Sequence, residues 1–471
     1  MLTFFILLIA VGFAAVLNLY LTKGVSWDFV SHYLNAETVL KQGFYSHIAF
    51  LGNSSIIENN GFYFEAARAP LSSTLMALSM LSSRNIAIPI YLAILFALLG
   101  IALWSVSKSL GISPLLGAAL MISPYLLKFT FLFNSTEILS LTFVLLTVAF
   151  VAEKRSEAGI FMALAGLAKY TSLIFLPLLL LLGKPKKIFY SLVFFAVVTL
   201  PWILFNYIFF GNPVYSYYNA IVVAVSSTVS NFISLKVIEV LLEFLVIPSI
   251  LLLSLALGSF INGRANKKET GKTAMRDFIY GKAFLIISFL ALGFADLFIL
   301  GMHNSTFDQE RFGYFFYAAF AVAIAFAFSS DRLNLSFNVR KLKFNTHTIM
   351  PYALFVVSLF FILLLLHNEP MPWFSWMSQA SNNPVLRNAV LAINEAGLSN
   401  CRVVSNDWVY LKFLGIKAFS PFYYNSTIAR YPIVAFDTLG TPPNYIRETN
   451  ISKTITYQNY SILFPKNYIC Q

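Results

Sequence analysis

Charge is what this chain has least of. Asp, Glu, Lys and Arg make up 11% of its 471 residues, against 58% hydrophobic residues and a mean hydropathy of +0.75. So little polar material cannot cover a water-soluble globule of this length, and the composition reads as a polytopic membrane protein. Three further absences narrow the reading. The apolar stretch Leu2–Leu21 lacks the small-residue cleavage pattern of a signal peptide and is long enough to span, so it reads as a retained first helix. No Asp-x-Asp sequence occurs, which removes one common way of holding a divalent ion. The first half shows no convincing repeat in the second, which argues against a transporter built from repeated bundles.

A window of about 20 residues picks out about eleven spans. They fall near 2–22, 86–107, 113–132, 137–152, 157–168, 171–183, 188–210, 236–261, 283–302, 313–329 and 349–366. With a cytoplasmic N-terminus, the inside loops (Lys108, Lys154, Arg155, Lys184, Lys186, Lys187, the run Arg264–Lys282, and Arg332–Lys343) carry about twice the Lys and Arg of the outside loops. The net charge of +12 is therefore mostly a topology signal that meets anionic lipid heads, and nucleic acid is not needed to explain it. Asn-x-Ser/Thr sites agree in part: Asn53, Asn134, Asn304, Asn425, Asn450 and Asn459 fall outside, and Asn334 inside.

Beyond about His367 the composition changes to charges, turn residues and short alternating runs. Residues 367–471 read as a small extracytoplasmic α/β domain attached to a transmembrane domain of residues 1–366. Asn383–Gly397 reads as a helix capped by its glycine, Asp407–Phe413 as a second helix, and Arg402–Val404, Ile433–Phe436 and Ser461–Phe464 as strands. Cys401 and Cys470, the two cysteines, both lie in this region. A disulfide tying down the last residues is favoured over two free thiols, and at about a hundred residues the domain would gain from it.

Chemistry is expected in the outside loops. Ser26-Trp27-Asp28-Phe29-Val30-Ser31-His32-Tyr33 follows the first span and places Asp28 at the lipid–water boundary among aromatics. The first outside loop, about 23–85, also holds Glu65 and ends in Arg68-Ala69-Pro70-Leu71, followed by a short interfacial helix to Leu81. Glu137 stands in the second loop, and Asp308 and Glu310 precede the tenth span. Asp296 lies inside the ninth span, where an acid costs about 2.5–3.5 kcal/mol on insertion scales and faces a polar cavity or a neighbouring helix.

These residues, in this order, resemble a family. Asp28 with Tyr33-Leu-Asn-Ala36, then Arg68-Ala69-Pro70-Leu71, Gly166-Leu-Ala-Lys169-Tyr170-Thr171, Pro201-Trp202 with Asn206-Tyr207, Phe210-Gly-Asn-Pro213 and Glu310-Arg311-Phe312 are similar to motifs of the GT-C glycosyltransferases, in particular the protein mannosyltransferase and aminoarabinose transferase branches. The resemblance covers residues 1 to about 330. It implies an all-α, GT-C-like membrane domain that moves a sugar, mannose or another hexose, from a polyprenyl or dolichyl phosphate to a lipid, glycan or protein acceptor. The Trp-Trp-Asp motif of oligosaccharyltransferases is absent, which counts against transfer of a preassembled glycan.

The chemistry implied needs cations to neutralise the leaving phosphate, for which Arg68, Lys169 and Arg311 are the candidates. It needs one carboxylate to take the acceptor's proton, assigned to Asp28, with Glu137 orienting that acid or the acceptor sugar. His32, Tyr33, Glu65, Asp296, Asp308 and Glu310 are candidates for the cavity wall. Blander roles compete: Lys169 as a snorkelling lysine, Arg68 as a lipid anchor, Arg311 paired with its neighbouring acids, His32 and Tyr33 as packing. Asp308-Gln-Glu310 offers oxygen ligands to Mg²⁺ or Mn²⁺, but two carboxylates make a weak set, and the expectation is an enzyme with no cofactor and no metal. The alternatives are a transporter or flippase of lipid-linked sugars, and a non-catalytic membrane scaffold.

Overall fold

A computed structural model describes residues 27–42, 56–59, 62–65, 68–82, 87–112, 136–218, 220, 281–297, 314–329, 336–339, 342–345, 384–405, 407–419, 430–436, 450–457 and 459–470. The spans expected at 2–22, 113–132, 236–261 and 349–366 lie outside the described residues, as do Asp308, Glu310 and Arg311.

The membrane-type part is built from α1 (Trp27–Gln42), the hairpin β1 (Ile56–Asn59) and β2 (Phe62–Glu65), α2 (Pro70–Met80), α3 (Ala87–Leu110), α4 (Thr136–Ala152), α5 (Ala158–Ala168), a 3-10 helix (Tyr170–Leu182), α6 (Pro185–Phe210), α7 (Lys282–Asp296) and α8 (Tyr314–Ser329). A second hairpin joins β3 (Ser336–Val339) to β4 (Leu342–Asn345). Ile90–Leu110 and Pro185–Phe210 are long and apolar enough to cross a bilayer. α4 is the centre of the bundle, buried along almost its whole length and packed on α3, α5, α7 and the 3-10 helix. α6 by contrast exposes Phe189, Val197, Leu200, Tyr207 and Ile208. Water would penalise that surface at about 25 cal/mol per Å²; lipid would not.

The segment read from sequence as the sixth span is a 3-10 helix of 13 residues, tied to α4 near both ends. At one end Lys169 Nζ pairs with Glu137 Oε1 at the start of α4; at the other, Lys154, just past the end of α4, donates to the carbonyl of Leu181. From residue 137 to 154 an α-helical rise covers about 25 Å. The stretch from 169 to 181 covers about 24 Å at the 3-10 rise but only about 18 Å if coiled as an α-helix. The tighter winding lets a short segment reach both ties. Lys154 itself sits at φ 58, a left-handed conformation that costs an ordinary residue about 1 kcal/mol, and its carbonyl accepts from Lys187 Nζ at 2.6 Å.

The first outside stretch differs from the loop expected of it. Residues 27–42 form a four-turn helix whose buried face mixes Phe29, Val30 and Leu34 with Ser31, His32 and Asn35, so its burial is not spelled out by hydrophobicity. α1 packs along α2, where His32 Nδ1 and Ser73 Oγ share a hydrogen bond at 2.8 Å.

The C-terminal part holds α9 (Pro384–Glu395), β5 (Val403–Ser405), α10 (Trp408–Phe413), β6 (Ala418–Phe419), β7 (Ile433–Phe436), β8 (Ile451–Thr456) and β9 (Tyr460–Pro465). The strands form one sheet in the order β6-β5-β7-β9-β8, parallel across β6, β5 and β7 and antiparallel across β7, β9 and β8. Gly397 follows α9 at φ 72, the left-handed geometry that favours glycine after a helix. A disulfide joins Cys401, at the entry to β5, to Cys470, after β9, closing a separation of 69 residues. α10 also packs on α1, with Phe413 set edge-on to Tyr33 at 5.3 Å between ring centroids. The two parts of the chain therefore meet on the helix that carries Asp28.

Candidate functional site

Two shielded charged side chains, Glu137 and Lys169, pair where α4 begins and α5 ends, while a more exposed set around Glu153, Arg155 and Glu157 lies at the opposite end. Lys169 occupies the break between α5 and the 3-10 helix, with an extended backbone (φ −156, ψ 122) that turns its side chain out of both helical ladders. Its ammonium donates to Glu137 Oε1 at 2.8 Å, and Thr136 Oγ1 donates to the other carboxylate oxygen at 2.7 Å. Glu137 is 1% exposed and Lys169 12%, so the pair is shielded and little weakened by solvent. The ring of Tyr314, the first residue of α8, lies 5.2 Å from the ammonium. The ammonium is thus held between a carboxylate and an aromatic face.

Asp296, the last residue of α7, reaches the same region. It is fully buried, neither carboxylate oxygen has a hydrogen-bond partner among the described residues, and it lies within electrostatic reach of Lys169. A buried carboxylate without a donor is costly, so its position is held by packing. Gly293, one turn earlier, provides it: a Cβ there would lie 2.9 Å from Phe316 Cα and 3.0 Å from Phe316 N, so only glycine lets α7 and α8 cross this closely. Below the charges, Phe175 of the 3-10 helix packs edge-on against Phe289 of α7 and Phe315 of α8, closing that side with apolar rings.

Arg68 enters from α2. Its carbonyl stands 3.5 Å from the Tyr170 hydroxyl, which places the start of α2 beside the residue that follows Lys169. Asp28 lies in the first turn of α1, but its side chain is outside the described residues, as is that of Glu65 at the end of β2, paired in register with Ile56. His32 and Tyr33 are engaged elsewhere, His32 with Ser73 and Tyr33 with Phe413. Of the residues picked out in the sequence, the structure brings together Glu137, Lys169, Asp296 and the Arg68 backbone. Among the described residues no group of three His, Cys, Asp or Glu could hold a metal ion. Sequence reasoning missed Thr136 and Tyr314. Thr136 was visible only as the last residue of the Asn134-Ser-Thr site, and Tyr314 only as one aromatic among many at a span boundary.

The sequence matches no family model and no curated protein. Among solved structures, the archaeal oligosaccharyltransferase AglB from Archaeoglobus fulgidus, in complex with an inhibitory peptide and a dolichol-phosphate, aligns with 91% of this chain and 69% of its own at 13% identity and a TM-score of 0.46. Similarity at that level carries no argument about activity, so the functional reading is built from the residues themselves.

Proposed function

We propose that this chain is an integral-membrane glycosyltransferase that moves a sugar from a polyprenyl-phosphate donor to an acceptor hydroxyl on the extracytoplasmic side. The observation that carries the proposal is the burial of Lys169, Glu137 and Asp296 at one end of the bundle, away from the exposed charges at the other. Ionisable groups are expensive in such a bundle and cluster where a polar ligand is handled.

In this reading the acceptor heteroatom attacks the anomeric carbon, the bond from that carbon to the phosphate oxygen breaks, and polyprenyl phosphate departs. The acceptor's proton passes to the Asp28 carboxylate. Glu137 orients the Lys169 ammonium, which in this reading pairs with the donor phosphate. The net positive charge comes from Arg68 and Arg311. No covalent enzyme intermediate is required when the sugar inverts, so a single base suffices.

Full-length protein in nanodiscs, offered a panel of polyprenyl-phosphate sugars, is expected to release polyprenyl phosphate and glycosylate an acceptor with at least one of them. Protein that is folded by thermal unfolding yet turns over no donor would contradict the proposal.

A further inference from the structure

The Trp202–Pro213 stretch, set apart in the sequence, has no chemistry assigned to it above. In the structure it meets Tyr170. Trp202 Nε1 donates to the Tyr170 hydroxyl oxygen at 2.8 Å, and the Ser216 hydroxyl contacts the same phenol. Asn206 locks the arrangement: its Oδ1 accepts from the Ser216 N–H at 2.9 Å and from the Ser216 hydroxyl at 2.5 Å, while its Nδ2 donates to the Trp202 carbonyl at 2.8 Å. Asn206 and Ser216 are each 1% exposed. The indole lies flat on Phe205, with centroids 4.7 Å apart at 8°.

We infer that Trp202 and Tyr170 are positioning residues for the polyprenyl phosphate group, with Asn206 and Ser216 holding them. Lys169 stands at the extended junction between α5 and the 3-10 helix, its N–H donating to the Ala165 carbonyl and its carbonyl accepting from the Ser172 N–H. The residue beside it is pinned by a hydrogen bond from α6, and the same phenol faces the Arg68 carbonyl at 3.5 Å. One side chain thereby sets the spacing of two proposed phosphate-binding residues that lie 101 positions apart in the chain. A buried network with its partners satisfied holds one geometry and resists drift. The inference rests on the proposed glycosyl transfer for the identity of the ligand.

The test measures binding of radiolabelled farnesyl phosphate to full-length protein in nanodiscs for wild type, Tyr170→Phe, Trp202→Phe, their double variant and the milder Ser216→Ala, which serves if either aromatic change prevents folding. Both single aromatic variants cut the same hydrogen bond. Each is expected to weaken binding about five- to tenfold, the double no further than the weaker single, and Ser216→Ala about two- to threefold. Donor KM should rise in step while kcat stays within about twofold, a split that a general loss of stability would not produce. Unchanged binding in the variants, or losses in the aromatic pair that add, overturns the inference and leaves the glycosyltransferase reading standing. Wild-type protein that binds no farnesyl phosphate overturns the functional reading instead.

Discussion

The Lys169 ammonium lies 2.8 Å from the Glu137 carboxylate across 32 residues of sequence, and both groups are almost wholly shielded from solvent. Glu137→Leu is predicted to destabilise the protein by about 3–5 kcal/mol, because a shielded ammonium loses its hydrogen-bonded carboxylate. Adding Lys169→Met should recover most of that loss in thermal unfolding without restoring sugar transfer. Recovery of both would mean that the pair is structural only.

Gly293 sets how closely α7 and α8 cross, and with it where Asp296 sits. Gly293→Val would press side-chain carbons onto the backbone of Phe316, which cannot move aside as a side chain can. The expected cost is about 1–3 kcal/mol, read as a lowered unfolding temperature together with reduced donor turnover. A variant with wild-type stability and turnover would show that the crossing can open freely.

Tyr33 and Phe413 join the helix carrying Asp28 to the C-terminal domain. An edge-to-face pair contributes about 0.5–1.5 kcal/mol beyond its buried area. Phe413→Ala is therefore expected to loosen the packing of α10 on α1. Limited proteolysis should cut between α8 and α9 faster in the variant, while the Cys401–Cys470 bridge survives. An unchanged cleavage rate would mean that other contacts hold the two parts together.

Burial pushes the Asp407 carboxyl, at the start of α10, up to about 6 from its usual 3.8. The folded state therefore binds this proton more tightly than the unfolded state does. That stabilisation is fully present below about pH 4 and is lost as pH rises to about 6, above which the buried charge is a cost. Asp407→Asn should raise the unfolding temperature at about pH 7.5, by the equivalent of roughly 1–3 kcal/mol, and leave it unchanged at about pH 4. An equal shift at both pH values would contradict this origin.

How far the sequence could be read differs between elements, for physical reasons. Ile433–Phe436 was legible to the residue, and Pro384–Glu395 nearly so, because a short apolar run and a helical period are clear there. β8 was missed: it is an edge strand, largely exposed, so burial leaves little pattern on it. The α1 helix was missed because half of its buried face is polar. Apolar composition marked Tyr170–Leu182 as helical but could not distinguish 3-10 from α winding. Glu137, Lys169 and Asp296 were each recognisable as costly residues in an apolar chain. Their convergence was not, because it depends on how α4, α5 and α7 pack.

The most direct measurement compares wild type with Asp28→Asn for sugar transfer in nanodiscs, using a polyprenyl-phosphate sugar that the wild type turns over. The substitution keeps the size of the side chain and removes its basicity. The account predicts a drop in kcat of at least about a hundredfold, with farnesyl phosphate binding and unfolding temperature unchanged. Transfer at wild-type rate by a folded Asp28→Asn protein would contradict the account at its centre, because the proton of the acceptor would then leave by another route.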